Sequence, residues 1–139
     1  MKIVLDTNVF ISGIFFSGPP SQILQAWKNK KLRIILSEDI LDEYHRVAES
    51  LSSKYPTIDI FQIIELVTVH GQFVDIKKLD ITVCEDPDDN KFIECAIASD
   101  TRIIVSGDKH LLKITGYQGI TVFNPREFVD RYLNQTSLK

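Results

Sequence analysis

The sequence predicts an α/β fold, a three-layer α/β/α sandwich with a central parallel sheet of about five strands. The main observation is that short apolar runs alternate with longer segments whose apolar residues recur at helical spacing, which is typical of βαβ units. The second is size and composition, because 139 residues with 44 % hydrophobic and 25 % charged residues are ordinary for one folded domain. We therefore expect residues 1–139 to form a single domain.

The first part of the chain predicts two strands with an interrupted helical segment between them. Lys2 to Leu5 ends in an unbroken apolar run and is expected to be a buried strand. Val9 to Phe16 has helical spacing, Gly18-Pro19-Pro20 interrupts it, and Ser21 to Asn29 resumes it. Leu32 to Leu36 is the next apolar run and the second predicted strand.

Two helices are predicted between the second and third strands. The first begins after Ser37, a hydroxyl cap followed by two acidic residues in the first turn, and continues to about Ser50. The second covers about Ile58 to His70 and ends at Gly71, a residue typical of helix C-termini. Phe73 to Ile76 is then expected to form the third strand, from a weaker apolar pattern than the others.

The last part of the chain begins with a turn and completes the sheet. Asp86-Pro87-Asp88-Asp89-Asn90 predicts the turn, because proline and short acidic residues favour turns and caps, and a helix follows from about Lys91 to Ser99. Ile103 to Val105 and Ile120 to Phe123 are the fourth and fifth predicted strands. A final helix is expected from Pro125, since proline is favoured at the first helical position, to about Asn134.

Acidic residues lie at the predicted carboxyl ends of the strands, where open parallel sheets bind their ligands. Asp6 ends the first strand, and Asp108 closes the turn after the fourth. Asp89 precedes the helix before the fourth strand, and Glu43 lies two turns into the helix after the second. Glu43 is at the flank of that helix's apolar stripe, where an unpaired carboxylate is costly to desolvate. The four side chains are therefore expected to meet in one cleft.

Each acid also has a simpler interpretation. Asp6 and Asp89 each precede a predicted helix and would serve as its N-cap. Asp108 would cap a short helical turn from Lys109 to Leu112, and Glu43 would pair with a nearby base. Their shared location favours a metal site instead. Neighbouring carboxylates raise one another's pKa unless a cation compensates their charge. Mg²⁺ and Mn²⁺ prefer oxygen ligands, and two such ions about 4 Å apart would activate a water and stabilise the leaving oxygen in phosphodiester hydrolysis.

Four short segments carry these acids in a fixed order along nearly the whole chain. They are Ile3-Val4-Leu5-Asp6-Thr7-Asn8, Ser37-Glu38-Asp39-Ile40-Leu41-Asp42-Glu43, Asp86-Pro87-Asp88-Asp89-Asn90-Lys91-Phe92 with Ala96, and Ile104-Val105-Ser106-Gly107-Asp108-Lys109-His110-Leu111-Leu112. Together and in this order they resemble the PIN-domain family, in particular its stand-alone prokaryotic toxins of toxin–antitoxin systems. No single segment would be specific, but the combination is.

The resemblance implies an α/β/α sandwich of the PIN-like, Rossmann-like type and endonucleolytic cleavage of RNA with Mg²⁺ or Mn²⁺. It implies that four acids bind the metal and act in catalysis, namely Asp6, Glu43, Asp89 and Asp108. Asn8 and Ser106 match polar positions that orient these acids, and a homodimer and a cognate antitoxin protein are implied as partners. Two features depart from the family pattern. Asp86 and Asp88 compete with Asp89 as the third acid, and Ser106 stands where threonine is common.

Composition and motifs argue against several other functions. A net charge of −3 disfavours a protein that coats nucleic acid by bulk electrostatics. No glycine-rich phosphate loop follows the first strand, and no apolar stretch reaches the roughly 18 residues of a membrane span. The two cysteines, Cys84 and Cys95, lack zinc-ligand spacing and are expected to be reduced thiols in a cytoplasmic protein.

Two other functions remain as alternatives to a nuclease. The first is a PIN-like module that binds RNA or protein without catalysis. The second is a receiver-type phosphoacceptor domain, which requires paired acids after the first strand and a lysine after the fifth, whereas this chain has only Asp6 and then Asn124-Pro125. The apolar segment Ile11 to Phe16 is either core or an exposed patch for a dimer partner or an antitoxin helix.

Overall fold

The computed structural model describes residues 1–76 and 89–134, and in that part of the chain five strands form one all-parallel sheet. The strands are β1 (Lys2–Leu5), β2 (Arg33–Leu36), β3 (Gln72–Phe73), β4 (Ile103–Val105) and β5 (Thr121–Phe123). Their order across the sheet is β3-β2-β1-β4-β5. The direction in which strands are added therefore reverses between β1 and β4. Open parallel sheets bind ligands beside such a reversal, outside the carboxyl ends of the strands.

The helices of the described residues are α1 (Thr7–Phe15), α2 (Pro19–Lys28), α3 (Glu38–Leu51), α4 (Ile60–His70), α5 (Asn90–Ala98), α6 (Lys109–Leu112) and α7 (Pro125–Phe128), which a π-helical turn, Val129–Leu133, extends. None of these helices is long and apolar enough to cross a membrane.

Both faces of β1 are buried. Ile3, Val4 and Leu5 are all fully buried, although successive strand residues point to opposite faces of a sheet. Both faces of β1 are therefore covered, and the predicted three-layer sandwich is confirmed.

The predicted strands all form; β1 and β4 have the predicted bounds, and the other three differ at one or both ends. β2 begins at Arg33 and β5 at Thr121, slightly later than expected. β3 covers only Gln72–Phe73, whereas Phe73 to Ile76 was expected. Its last paired residue, Phe73, lies opposite Leu36, the last residue of β2, so the ladder has no partner residues beyond that point.

Helix starts follow local capping signals closely. The Ser37 hydroxyl accepts a hydrogen bond of 3.3 Å from a backbone amide in the first turn of α3, as expected of a cap. α2 begins at Pro19 rather than Ser21, because prolines fit the first turn, where the missing amide donor is not needed. α4 begins at Ile60, slightly later than expected, because the preceding Asp59 caps it.

Gly71 ends α4 for a different reason from the one its residue type suggested. Its φ is −68°, a value that any residue adopts. A Cβ atom at this position would lie 2.5 Å from the Val67 carbonyl oxygen and 2.6 Å from Leu36 Cδ1. The close approach of the end of α4 to β2, and not a left-handed backbone, therefore requires glycine here.

The apolar segment Ile11 to Phe16 is divided between core and surface. Ile11 is buried, Phe15 is half-buried, and Phe16 is 54 % exposed. Both phenylalanine rings contact Tyr55, with centroid distances of 4.8 Å for Phe15 and 5.9 Å for Phe16. The segment is therefore core at Ile11 and exposed at Phe16, and its use by a dimer partner or an antitoxin stays a prediction.

Candidate active site

Asp6 is the acid at the centre of the candidate site. It follows β1 directly, and its amide donates to the Val105 carbonyl of β4 at 3.0 Å, so it lies at the reversal of the sheet. Its side chain is 5 % exposed and makes no capping hydrogen bond to α1. The carboxylate instead accepts a 2.7 Å hydrogen bond from the Ser106 hydroxyl. Capping therefore does not account for this aspartate.

The pKa of Asp6 is raised above its ordinary value. Burial is the largest cause, and the charges of Asp108 and Glu43 add to it. The hydrogen bond from the Ser106 hydroxyl and the nearby backbone of Thr7 oppose the increase. Asp108 and Glu43 are thus close enough to Asp6 for their charges to disfavour its ionised form.

Ser106 connects two of the predicted acids. Its side chain is fully buried, its hydroxyl donates to Asp6, and the same oxygen accepts a 2.9 Å hydrogen bond from the Asp108 amide. The position where the family pattern has threonine therefore keeps its hydroxyl function here. The Ser106 side chain therefore fixes Asp6 relative to the backbone segment directly before α6.

Asp108 has a capping function in addition to its place in the site. Its Oδ1 accepts a 2.8 Å hydrogen bond from the His110 amide at the start of α6. The simpler interpretation of this residue as a helix cap is therefore correct for one of its oxygens. Its charge nevertheless acts on Asp6, as the raised pKa of that residue indicates.

Glu43 lies at the flank of the buried face of α3, as its position on the helix predicts. Its side chain is 16 % exposed, and Lys91 Nζ is 2.5 Å from its Oε1. Arg46, which the helical wheel places on the opposite face, is also 3.6 Å from Oε1. Thr7 Oγ1 donates to the other oxygen, Oε2. Glu43 is therefore both near Asp6 and paired with a base.

Asp89 is the residue before α5 and is 8 % exposed. Its side chain makes no capping hydrogen bond to α5, so the simple capping interpretation does not apply to it. The competing acids Asp86 and Asp88 lie outside the described residues. Asn8 is exposed in the first turn of α1, and within residues 1–76 and 89–134 no side-chain hydrogen bond connects it to the acids.

Three residues of the site were not singled out by sequence reasoning. Thr7 and Lys91 bind Glu43, and both belong to the segments that resemble the family, which was the available signal.

Tyr44, the third of these residues, lies beneath the site, where its ring stacks on Phe10 at 4.2 Å and its hydroxyl donates to the Leu5 carbonyl at 2.6 Å. The pKa of Tyr44 is raised well above its ordinary value, first by burial and then by the charge of Asp6. The fully buried Tyr44 ring is therefore part of the core as well as a neighbour of the site.

The donors of the site are carboxylate oxygens, the type that Mg²⁺ and Mn²⁺ prefer. Burial raises the pKa of Cys95 to about 12, so this thiol stays protonated and offers no soft ligand. Within the described ranges, no three histidine, cysteine, aspartate or glutamate side chains stand close enough to bind one metal ion. The chemistry of the donors fits a hard divalent ion, while one of them, Glu43, is engaged by the ammonium group of Lys91.

Three comparisons relate the sequence and the fold of this chain to known proteins. The sequence model of the family described as PIN domain matches residues 2–110, which include Asp6, Glu43, Asp89 and Asp108. The chain is 30 % identical to an uncharacterized protein of Methanocaldococcus jannaschii, over 95 % of this chain and 92 % of that protein. A chain in the crystal structure of VapBC2 from Rickettsia felis, bound to a DNA fragment from their promoter, is similar with a TM-score of 0.60. That similarity covers 89 % of this chain and 98 % of the other at 15 % identity, and it shows a shared fold.

Proposed function

This chain belongs to the PIN-domain family, and on that premise we propose that it is a metal-dependent endoribonuclease that hydrolyses RNA phosphodiester bonds. The observation that carries the proposal is the buried Ser106 hydroxyl, which joins Asp6 to the backbone of Asp108 beside the reversal of the sheet. A hydroxyl in that place fixes two acidic residues relative to each other, and a metal site requires ligands in fixed positions.

The residues that would bind Mg²⁺ or Mn²⁺ are Asp6, Glu43, Asp89 and Asp108. When bound, the metal would supply a water of lowered pKa and positive charge for the leaving oxygen. The assignment of these residues as metal ligands rests on their carboxylate oxygens and on the raised pKa of Asp6, which burial causes first and the charges of Asp108 and Glu43 cause second. A cation beside Asp6 would favour its ionised form, which burial and the neighbouring acids disfavour.

The chain's own groups prepare the site for that cation. Ser106 donates to Asp6, and Thr7 donates to Glu43, so each carboxylate is oriented by a hydroxyl. The Tyr44 hydroxyl donates to the Leu5 carbonyl, directly before Asp6, and so supports the end of β1. These contacts would reduce the reorganisation needed when metal and RNA bind.

We further propose that the enzyme is the toxin of a toxin–antitoxin pair, acts in the cytoplasm as a homodimer, and is restrained by an antitoxin protein. The similarity of fold to a chain of VapBC2 over 98 % of that chain supports the pairing with an antitoxin. Induced expression of the wild-type chain in a bacterial host should then arrest growth, while Asp6→Asn should not. Light scattering should give the mass of two 15.9 kDa chains.

A second candidate is a PIN-like module that binds RNA or protein without catalysis. The observation in its favour is the ion pair between Lys91 and Glu43, which places an amino group where a metal would bind. A receiver-type phosphoacceptor domain is set aside, because the family model that matches residues 2–110 is that of the PIN domain.

The experiment that separates the two candidates is cleavage of a labelled, mixed-sequence single-stranded RNA by purified protein with Mn²⁺ and with EDTA. Asp6→Asn changes charge with almost no change in shape, and we expect it to reduce the rate at least about 100-fold. Asp59→Asn is the matched control, because Asp59 is an exposed cap of α4 and asparagine also caps helices. Equal cleavage by both variants would refute the site, and RNA binding without cleavage by the wild type would favour the binding module.

A further inference from the structure

Lys91 is a charged residue of the site that the proposed reaction leaves without a function. Its ammonium nitrogen is 2.5 Å from Glu43 Oε1, and the two side chains are 18 % and 16 % exposed. Thr7 donates to the other carboxylate oxygen, so both oxygens of Glu43 are engaged by groups of the chain itself. A divalent ion that binds Glu43 through Oε1 therefore meets a positive charge already there.

The place of Lys91 in α5 is unfavourable for a cation when considered alone. Asn90 is the first residue of α5, so Lys91 is in the first turn, and this turn contains no acidic residue. The positive end of the helix dipole is there, which favours acids and disfavours lysine. Glu43, 48 residues away on α3, supplies the compensating charge. The lysine is thus held in this position by its carboxylate partner rather than by helix preference.

Other contacts of these side chains are weaker. The Lys91 ammonium is 5.9 Å from the centroid of the adjacent Phe92 ring, a long distance for a cation–π contact. Arg46 is 3.6 Å from the same Glu43 oxygen, but its side chain is 74 % exposed and such pairs contribute little. Lys91 is therefore the cation most strongly coupled to Glu43 among the described residues.

We propose that Lys91 is an internal counter-ion that competes with the divalent metal for Glu43. The inference rests on the proposed metal site. Without metal, the ammonium group compensates the charge of Glu43 and keeps its carboxylate in place. When metal binds Glu43, the ammonium group must leave Oε1, so Lys91 weakens metal binding and stabilises the metal-free protein.

The first test is calorimetric titration of the full chain with Mn²⁺ and with Mg²⁺. Lys91→Met removes the charge and keeps most of the aliphatic side chain, and we expect it to bind metal about five- to tenfold more tightly than the wild type. Arg46→Met is the matched control, because it removes a cation facing the same oxygen from an exposed position, and its affinity should change less than about twofold. Tighter binding in Lys91→Met alone supports the inference, and equal or weaker binding overturns it.

Thermal unfolding provides a second readout that requires no RNA cleavage. In EDTA, Lys91→Met should melt at a lower temperature than the wild type, because Glu43 loses its partner. Saturating Mn²⁺ should then raise its Tm by more than it raises that of the wild type. An equal rise in both proteins overturns the inference. If Lys91→Met does not fold, Lys91→Gln is measured in its place, with the same expectation.

The Glu43→Gln background tests whether the effect passes through Glu43. We expect Lys91→Met to tighten metal binding in the wild-type chain and to leave it unchanged within about twofold in Glu43→Gln. An equal gain in both backgrounds would overturn direct competition. Absence of binding in the wild type and in Lys91→Met would refute the metal site itself, whereas binding with no gain in Lys91→Met would refute only the function given to Lys91.

Discussion

Replacing Ser106 by alanine should destabilise the protein by more than its small size suggests. The hydroxyl is fully buried, donates to Asp6 at 2.7 Å and accepts from the Asp108 amide at 2.9 Å. A hydrogen bond to a charged group contributes about 1.5–3 kcal/mol and a neutral one about 1 kcal/mol, so we expect a loss of about 2–4 kcal/mol. Ser50→Ala is the matched control, because that exposed hydroxyl donates only to a carbonyl of its own helix, and its cost should stay within about 0.5 kcal/mol.

The cost of Ser106→Ala should also depend on pH. The folded-state pKa of Asp6 is raised, so its contribution to stability is present below the unfolded value of about 4 and is lost as pH rises through the folded pKa. The bond from Ser106 lowers that pKa, and removing the bond raises it further. The variant should therefore lose more stability than the wild type between about pH 4 and pH 7.

Urea unfolding with EDTA at several pH values measures both effects, with Ser50→Ala measured in parallel. A cost below about 0.5 kcal/mol for Ser106→Ala at pH 7 would refute the reasoning about its two hydrogen bonds. A cost that is the same at pH 4 and pH 7 would refute the account of Asp6, since the argument requires its ionised form to be the one that Ser106 stabilises.

Two further substitutions test the packing that positions the site. Tyr44→Phe should cost about 1–2 kcal/mol, because it removes the buried hydroxyl that donates to the Leu5 carbonyl. The ring stack on Phe10 is kept. A change in stability within the experimental error of chemical denaturation would contradict this expectation. Gly71→Ala should cost about 2 kcal/mol or more, because the added Cβ would lie 2.5 Å from a carbonyl oxygen of α4. Gly107→Ala is the control, because a Cβ at Gly107 would have no atom within 4 Å. Both alanine variants are compared by thermal unfolding, and equal stability of the two would refute the account of Gly71.

Local signals in the sequence were sufficient for most of the fold. The unbroken apolar run after Lys2 predicts a buried strand, and Ser37 with its acidic first turn predicts the start of α3, because these effects act within a few neighbouring residues. Some boundaries were wrong for local reasons, such as the start of α2 at Pro19, but one was decided by a distant element. β3 is shorter than Phe73 to Ile76 because β2 ends at Leu36.

The proximity of three of the four predicted acids agrees with the structure, whereas their function and the place of Asp89 beside them stay predictions. Asp6, Glu43 and Asp108 were expected near one another because they follow strands or flank a buried helix face, and the charges that act on Asp6 agree with this. Whether an aspartate caps a helix could not be read from residue type. Asp108 does cap α6, while Asp6 makes no such bond to α1, although each directly precedes a helix.

The sequence by itself determined the α/β class and the places of most strands and helices, because periodicity, capping and residue type act locally, and it predicted four acids as the site. Only the tertiary structure decided the strand order β3-β2-β1-β4-β5, the buried hydroxyl bridge of Ser106 and the ion pair of Lys91 with Glu43. Those features join residues from distant parts of the chain, and packing of the whole sheet and its helices is what brings such residues within hydrogen-bonding distance.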